Sequence, residues 1–167
     1  AATQEMVKIA YDVKPDMVTL VPERREELTT EGGLDISHHR DHVKKYVQSL
    51  KDGDIQVSVF IDPDLDQVRA AHRVEASAVE IHTGKYAVAR GDAERRAELQ
   101  RIADAARAAS KLGMGVAAGH GLHFHNLQEL VLLNDIEEYN IGHGIVAKAI
   151  FVGLERAVRD MLELLSP

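Results

Sequence analysis

The sequence predicts an α/β fold of parallel strands that alternate with helices, and two observations support this. Short apolar segments rich in β-branched residues recur along the chain, and stretches with helical apolar periodicity separate them. Strict alternation of this kind is typical of parallel strands joined by right-handed crossovers. The predicted strands are residues 17–22, 55–62, 78–84, 115–119 and 138–142.

Helices are predicted where apolar side chains recur three and four positions apart. Such stripes run through residues 43–50, 99–106 and 150–165, and the last is expected to belong to one long helix. Thr3 has the side chain of a helix N-cap, and Asp64 followed by Gln67 resembles a capping box. Gly53 and Gly113 stand where helices are expected to end.

The composition narrows the classes of function. The 167 residues carry a net charge of −7 and no Lys/Arg-rich tract, so no nucleic-acid partner is expected. No apolar run approaches the ~18–20 residues that span a bilayer, so we expect no membrane partner and a cytoplasmic location. Cysteine is absent, which excludes disulfides and thiolate metal ligands.

Two architectures fit alternating strands and helices: an open doubly wound sheet and a (β/α)8 TIM barrel. No G-x-G-x-x-G fingerprint follows the first strand, whereas polar residues cluster at the carboxyl ends of several strands, as in barrels. A whole barrel needs about 250 residues. We therefore expect residues 1–167 to form a single, incomplete TIM-barrel domain that contains strands four to eight with their helices.

The third predicted strand carries two ionisable side chains on one face. Alternation along a strand places Glu80 and His82 together, opposite Val79 and Ile81. Because both faces of a parallel strand are covered, a carboxylate there is costly unless it is paired. Glu80 is either half of a structural ion pair or a buried group that faces substrate.

The fourth predicted strand ends in Gly119-His120-Gly121. The glycines allow close approach of a ligand, and the imidazole suits general acid–base catalysis near neutral pH. His123 and His125 extend the pattern to H-x-x-H-x-H, which raises a metal site as an alternative. That spacing matches no established zinc or iron motif, so no metal is expected.

The fifth predicted strand leads through Gly142-His143-Gly144 into a helix. Exposed N–H groups at a helix N-terminus bind anions, and the loops after the last two strands of a barrel often hold phosphate. Two tight structural turns remain the alternative. The loop after the first strand offers the hydroxyl of Thr29, which by itself is a weak signal.

Taken together, these segments resemble the pyridoxine 5′-phosphate synthase family. The motifs TTEGGLD and EIHTG are distinctive in combination, and the similarity runs through nearly the whole chain in the order of the family. The stretches that carry it are residues 20–36, 57–62, 79–87, 117–126 and 139–154.

The resemblance implies a reaction and roles for particular residues. The family condenses 1-deoxy-D-xylulose 5-phosphate with 3-amino-2-oxopropyl phosphate, releasing phosphate and water, and needs no cofactor or metal. By residue match, His120 is the proton donor and Glu80 stabilises charge in the transition states. The residues matched to substrate phosphates are Gly121, Gly142 and His143 for the aminoketone, with Thr29 for the xylulose phosphate.

The resemblance also implies that three βα units, with a catalytic His and a catalytic Glu, precede Ala1 in the family. We therefore expect this polypeptide to be inactive or nearly so by itself, and we expect a homo-oligomer. Two other functions stay open. A phosphosugar isomerase or aldolase is one, with Lys85 as the candidate Schiff-base lysine; a non-catalytic phosphate-binding fragment is the other.

Overall fold

A computed structural model of the chain describes residues 1–22 and 32–165. Its centre is a sheet of five parallel strands whose spatial order follows the chain order. The strands are β1 (Met17–Leu20), β2 (Gln56–Ile61), β3 (Ala78–His82), β4 (Gly115–Gly119) and β5 (Glu138–Asn140). The parallel α/β prediction is confirmed. Consecutive order without reversal is the order within a barrel, whereas a doubly wound sheet reverses at a switch point.

Seven helices lie in the described part of the chain. They are α1 (Gln4–Val13), α2 (Arg40–Lys51), α3 (Leu65–Arg73), α4 (Gly84–Val88), α5 (Asp92–Lys111), α6 (His143–Val152) and α7 (Leu154–Leu165). The predicted caps are confirmed, since the Thr3 side chain accepts a hydrogen bond from the Met6 amide and Asp64 accepts from the amides of Asp66 and Gln67. Each cap satisfies amides that the helix itself leaves unpaired.

The two faces of the sheet differ in chemistry. The helix-covered face is fully apolar, and its side chains are almost completely buried: Leu20, Val57, Val59, Ile61, Val79, Ile81, Val116 and Ala118. The other face carries small or polar side chains, among them Thr19, Ser58, Glu80 and Asn140 around a hollow of about 150 Å³. Side-chain alternation along each strand produces this division.

Three local expectations need correction. The last helix is two helices, because Gly153 has φ of 85° and ends α6 before α7 begins. Gln67 does not complete a capping box; its side-chain oxygen accepts from the Ile36 amide and its nitrogen donates to Asp35. Helix α4 was not predicted, since five residues are too few to show periodicity.

Helix α6 is unusual because none of its residues is buried. Val146, Ile150 and Phe151 are 59%, 79% and 86% exposed. This apolar surface lies beside the edge strand β5 and the cavity described below. Within the described part of the chain, no helix is both long and apolar enough to cross a bilayer.

Candidate active site

A cavity of about 880 Å³ opens at the carboxyl ends of β4 and β5. It is lined by the segment that follows β4, by the turn after β5 and by the first turns of α6. Parallel strands bring their carboxyl ends to the same edge, which is where ligands bind in α/β folds. The lining includes His120, Gly121, His123, His125, Asn140, Gly142, His143, Gly144 and Lys148.

His120 stands on a strained turn immediately after β4. Its φ is 84° and that of Gly121 is 73°, so two successive residues adopt the left-handed conformation. For a residue other than glycine this costs on the order of 1–3 kcal/mol and persists only when neighbours enforce it. The Thr83 hydroxyl shares its proton between the carbonyl oxygens of Gly119 and His120, at 2.8 and 2.7 Å. These bonds fix the turn that presents the imidazole to the cavity.

The Glu80 carboxyl lies against a strand residue without a side chain. A Cβ on Gly119 would come within 2.3 Å of the Glu80 Oε1 atom, so glycine there leaves the space for the carboxyl. Burial raises the pKa of Glu80, and a hydrogen bond with the Asn140 amide partly opposes that effect. The nearby Glu138 raises the Glu80 pKa further. Charge on Glu80 is therefore costly unless a positive charge comes close.

Glu80 and His120 face neighbouring spaces rather than one. Glu80 lines the hollow on the open face of the sheet, whereas His120 lines the larger cavity at its edge. Asn140 lines both, and its amide bonds to Glu80. Asn140 is therefore a residue that the two neighbouring spaces share.

His82 and Asp62 form a pair between the ends of β2 and β3. The His82 Nδ1 lies 2.9 Å from the Asp62 Oδ1, and the imidazole is only 3% exposed. The hydrogen bond to His82 lowers the Asp62 pKa, and the Gly33 amide, 3.0 Å from the same oxygen, lowers it further. The lowered pKa favours the charged form of the Asp62 carboxyl, which bonds to the buried His82 imidazole.

The predicted phosphate cradle forms part of the cavity wall. Gly142 is the N-cap of α6 and His143 its first residue, and no side chain caps the helix. The Gly142 carbonyl accepts from the amides of Ile145 and Val146, so the helix starts directly at the cavity. The first amides of a helix have no partner within it, which suits them to an anion. Gly121 lies in the same wall.

The Asn126 side chain makes two hydrogen bonds within the loop after His120. The Asn126 side-chain oxygen accepts from the His123 amide at 2.8 Å, and its nitrogen donates to the Gly121 carbonyl at 3.0 Å. The His123 and His125 rings lie 5.9 Å apart. Residues 1–22 and 32–165 contain no group of three or more His, Cys, Asp or Glu side chains that could hold a metal.

Four of the predicted site residues line one cavity: His120, Gly121, Gly142 and His143. Glu80 lies in the adjoining hollow, and Thr29 lies outside the described residues. Lys85 is an exposed residue of α4. A lysine that forms Schiff bases is usually activated by an apolar pocket or a second cation, so this position does not favour the aldolase alternative.

Two polar residues of the site lie in segments that carry the family resemblance, but the sequence patterns assigned them no role. Asn140 ends β5 beside Gly119, and Asp62 directly follows β2, which pairs with the strand of His82. Strand register indicates Asp62, because Phe60 pairs with Glu80 and the residues two positions further along, Asp62 and His82, are then neighbours. Register also indicates Asn140, because it pairs with Gly119. The sequence alone does not give that register.

Comparison with known proteins places these features in a family context. A family model described as pyridoxal phosphate biosynthesis protein PdxJ matches residues 1–167. A pyridoxine 5′-phosphate synthase from Geotalea uraniireducens is 57% identical over 164 residues, which cover 98% of this chain and 69% of the relative. The enzyme of the same name from Geobacter sulfurreducens is 55% identical over 164 residues, with the same coverage.

A similar solved structure is the Amycolatopsis orientalis BexX/CysO complex. One of its chains superposes with a TM-score of 0.57 at 14% identity, covering 95% of this chain and 59% of that chain. At this level of identity the similarity concerns the fold alone.

Proposed function

The chain belongs to the family of pyridoxal phosphate biosynthesis protein PdxJ, and from that premise we propose that it carries a pyridoxine 5′-phosphate synthase site. The reaction joins 1-deoxy-D-xylulose 5-phosphate to 3-amino-2-oxopropyl phosphate and closes the pyridine ring, releasing phosphate and water. It is a transferase-type condensation of two phosphorylated small molecules, for which we expect neither a cofactor nor a metal.

One observation carries the proposal: the His120 imidazole and the start of α6 line the same cavity of about 880 Å³. Ring closure needs a proton donor at the reacting atoms and a fixed hold on a substrate phosphate. A histidine presented on a strained turn supplies the first, and amides at a glycine-bounded helix start supply the second.

In this proposal His120 protonates the oxygen that leaves as water. Glu80 stabilises positive charge as it develops on the reacting nitrogen. Because burial makes the negative charge on Glu80 costly, a cation that forms nearby during the reaction offsets that cost. An interaction that becomes favourable as charge develops lowers the barrier more than one that is equally strong in the ground state.

Gly121, Gly142 and His143 bind the phosphate of 3-amino-2-oxopropyl phosphate in this scheme, and Thr29 binds the xylulose phosphate. In the part of the chain that the structure describes, nothing lies within 4 Å of the position where a Gly142 Cβ would lie. Packing against these residues does not require glycine there, and in this scheme the missing side chain leaves space for the phosphate.

For the fold, we propose that the five strands are strands four to eight of a (β/α)8 TIM barrel and that residues 1–167 belong to one domain. We also propose a homo-oligomer, which the exposed apolar side chains of α6 support. The cytoplasmic location expected from the sequence stays a prediction.

The phosphate site is tested by calorimetric titration of the purified chain with inorganic phosphate and with 3-amino-2-oxopropyl phosphate. Gly142→Ala adds a methyl group to the cavity wall without touching the protein, and we expect about tenfold weaker binding, or about 1.4 kcal/mol. Gly115→Ala is the matched control, because its Cβ would make ordinary contacts with the Ala78 Cβ at 3.4 Å and the Glu137 Oε2 at 3.7 Å, away from this cavity. Equal affinity in wild type and Gly142→Ala would contradict the site.

Turnover is a separate question from binding. We expect the 167-residue polypeptide by itself to form product at a very small fraction of the rate of its full-length relatives. The measurement is product formation from both substrates, with a full-length relative as the positive control. Rates similar to those of the relative would overturn this expectation and leave the proposed site intact.

A further inference from the structure

His82 is a buried ionisable residue that the proposed reaction does not use. Its side chain is 3% exposed and its Nδ1 is bonded to Asp62. The other ring nitrogen, Nε2, is buried and has no hydrogen-bond partner among the described residues. Leaving a buried polar atom unpaired costs about 1–3 kcal/mol, so such an atom in a native protein calls for an explanation.

The unpaired nitrogen lies next to His120. A Cβ placed on Gly84 would come within 2.5 Å of the His82 Nε2 and within 3.1 Å of the His120 Cδ2. Both ring edges therefore lie over the same glycine. The centroids of the two rings are 4.9 Å apart in an edge-to-face arrangement, and Phe60 packs against His82 at 5.0 Å.

The hydrogen bond to Asp62 determines how the proton is placed on His82. A carboxylate only accepts, so Nδ1 carries the proton in this bond, and a neutral ring then leaves a lone pair on Nε2. Asp62 is itself held as a carboxylate by the Gly33 amide. The arrangement thus places a negative charge on Asp62, the proton of His82 on Nδ1 and a lone pair on Nε2. The His82 ring that carries this lone pair packs next to His120.

We propose that Asp62 and His82 are positioning residues for His120, holding its imidazole at the cavity and favouring its protonated form. The proposal rests on the proposed role of His120 as the proton donor. A donor must carry its proton before the reaction step, and a nearby carboxylate and imidazole lone pair stabilise an imidazolium. The unpaired Nε2 is then the cost of providing that environment.

Other charged groups act on the same cluster. Lys85 lowers the Asp62 pKa through its charge, and Glu80 interacts electrostatically with His82. The other titratable residues that line the cavity with His120 are His123, His125, His143 and Lys148. Lys148 is already paired with Asp160 at 2.5 Å. The test therefore changes the charge of Asp62 and leaves these groups in place.

The experiment is nitrogen-detected NMR of the purified chain labelled at its histidine rings, titrated with acid and base without any ligand. Asp62→Asn keeps an oxygen that accepts from His82 and removes the charge. We expect the His120 titration midpoint to move to lower pH by roughly 0.5 unit and the His82 ring to populate both tautomers.

Asp35→Asn is the matched control. Asp35 also bonds a histidine, His38, at 2.7 Å, but that pair is at the surface. It should leave the His120 and His82 signals unchanged. If Asp62→Asn leaves the His120 midpoint where it is in the folded wild type, the proposal is wrong.

A second measurement needs no variant. In the wild type the His82 ring should show its proton on Nδ1, and a predominant Nε2–H tautomer would overturn the proposal even if Asp62→Asn failed to fold. Failure of the proposed function is recognised separately, because it appears as absent phosphate binding, which this experiment does not use.

Discussion

The two faces of β3 have opposite chemistry although their residues alternate along one five-residue strand. Val79 and Ile81 face the helices and have no exposed surface, whereas Glu80 and His82 face the open side of the sheet. The first pair stabilises the fold by removing apolar area from water. The second pair carries a carboxyl with a raised pKa and an imidazole nitrogen that has no hydrogen-bond partner within residues 1–22 and 32–165, and both are costs. Because side chains alternate along the strand, the residues that stabilise the fold and the residues of the proposed site lie on opposite faces.

The largest expected effect on the free energy of unfolding comes from shortening a side chain on the apolar face. Ile81→Ala removes a fully buried side chain, and we expect a loss of about 2–5 kcal/mol in the free energy of unfolding. Urea denaturation measures it, with Glu80→Ala as the comparison on the other face. Similar losses for the two variants would show that the open face is also packed for stability.

An intermediate effect is expected from adding a side chain on the open face, where Gly119 leaves space for the Glu80 carboxyl. Gly119→Ala would place a Cβ 2.3 Å from the Glu80 Oε1 and 3.0 Å from the Asn140 Cβ. We expect a loss of about 1–3 kcal/mol from overpacking, together with displacement of the Glu80 carboxyl. A crystal structure and a urea denaturation curve of the variant check both parts. An unshifted Glu80 side chain would refute the close fit.

The division between the faces was accessible from sequence because it follows from period-2 alternation. The partners of the open-face residues were not, since they depend on strand register over distances of 20 to 60 residues. Asp62 meets His82 and Asn140 meets Glu80 only after β2, β3, β4 and β5 have paired. Alternation predicts which residues of a strand share a face, and register determines which residues of the next strand they contact.

Residues 150–165 show a different limit of predicting structure from sequence patterns. Apolar spacing continues through residues 150–165, so the pattern predicts one helix, but Gly153 adopts φ of 85° and interrupts it. Glycine tolerates that conformation, and the pattern does not record it. The glycine-rich turns at Gly121 and Gly142 line one cavity, because parallel strands bring their carboxyl ends to the same edge of the sheet.

The smallest expected effect is the pH dependence that Glu80 contributes. Burial raises its folded pKa above the unfolded value of about 4.3, so the folded state holds the proton more tightly. The wild type therefore loses stability as pH rises through the folded pKa, and this loss is absent below the unfolded pKa. We expect Glu80→Gln to equal or exceed the wild type by up to about 1 kcal/mol at pH 8 and to lose that advantage near pH 4.

Urea denaturation at several pH values between 3 and 8 measures this difference. Asp35→Asn serves again as a surface control, because its carboxyl has a lowered pKa, and its contribution to stability is lost only as pH falls below the unfolded value of about 3.9, which is the opposite direction. A Glu80→Gln variant that is much less stable than the wild type at pH 8 would mean that the carboxylate is well paired in the folded state.

The central claim is that the start of α6 and the turn after β4 bind one phosphate. Amide NMR spectra of the chain titrated with inorganic phosphate test it most directly. The account predicts saturable shifts at Gly121, Gly142, His143 and Gly144, which line one cavity. Shifts confined to another helix start, such as Leu65 of α3, with none at these four amides, would contradict it.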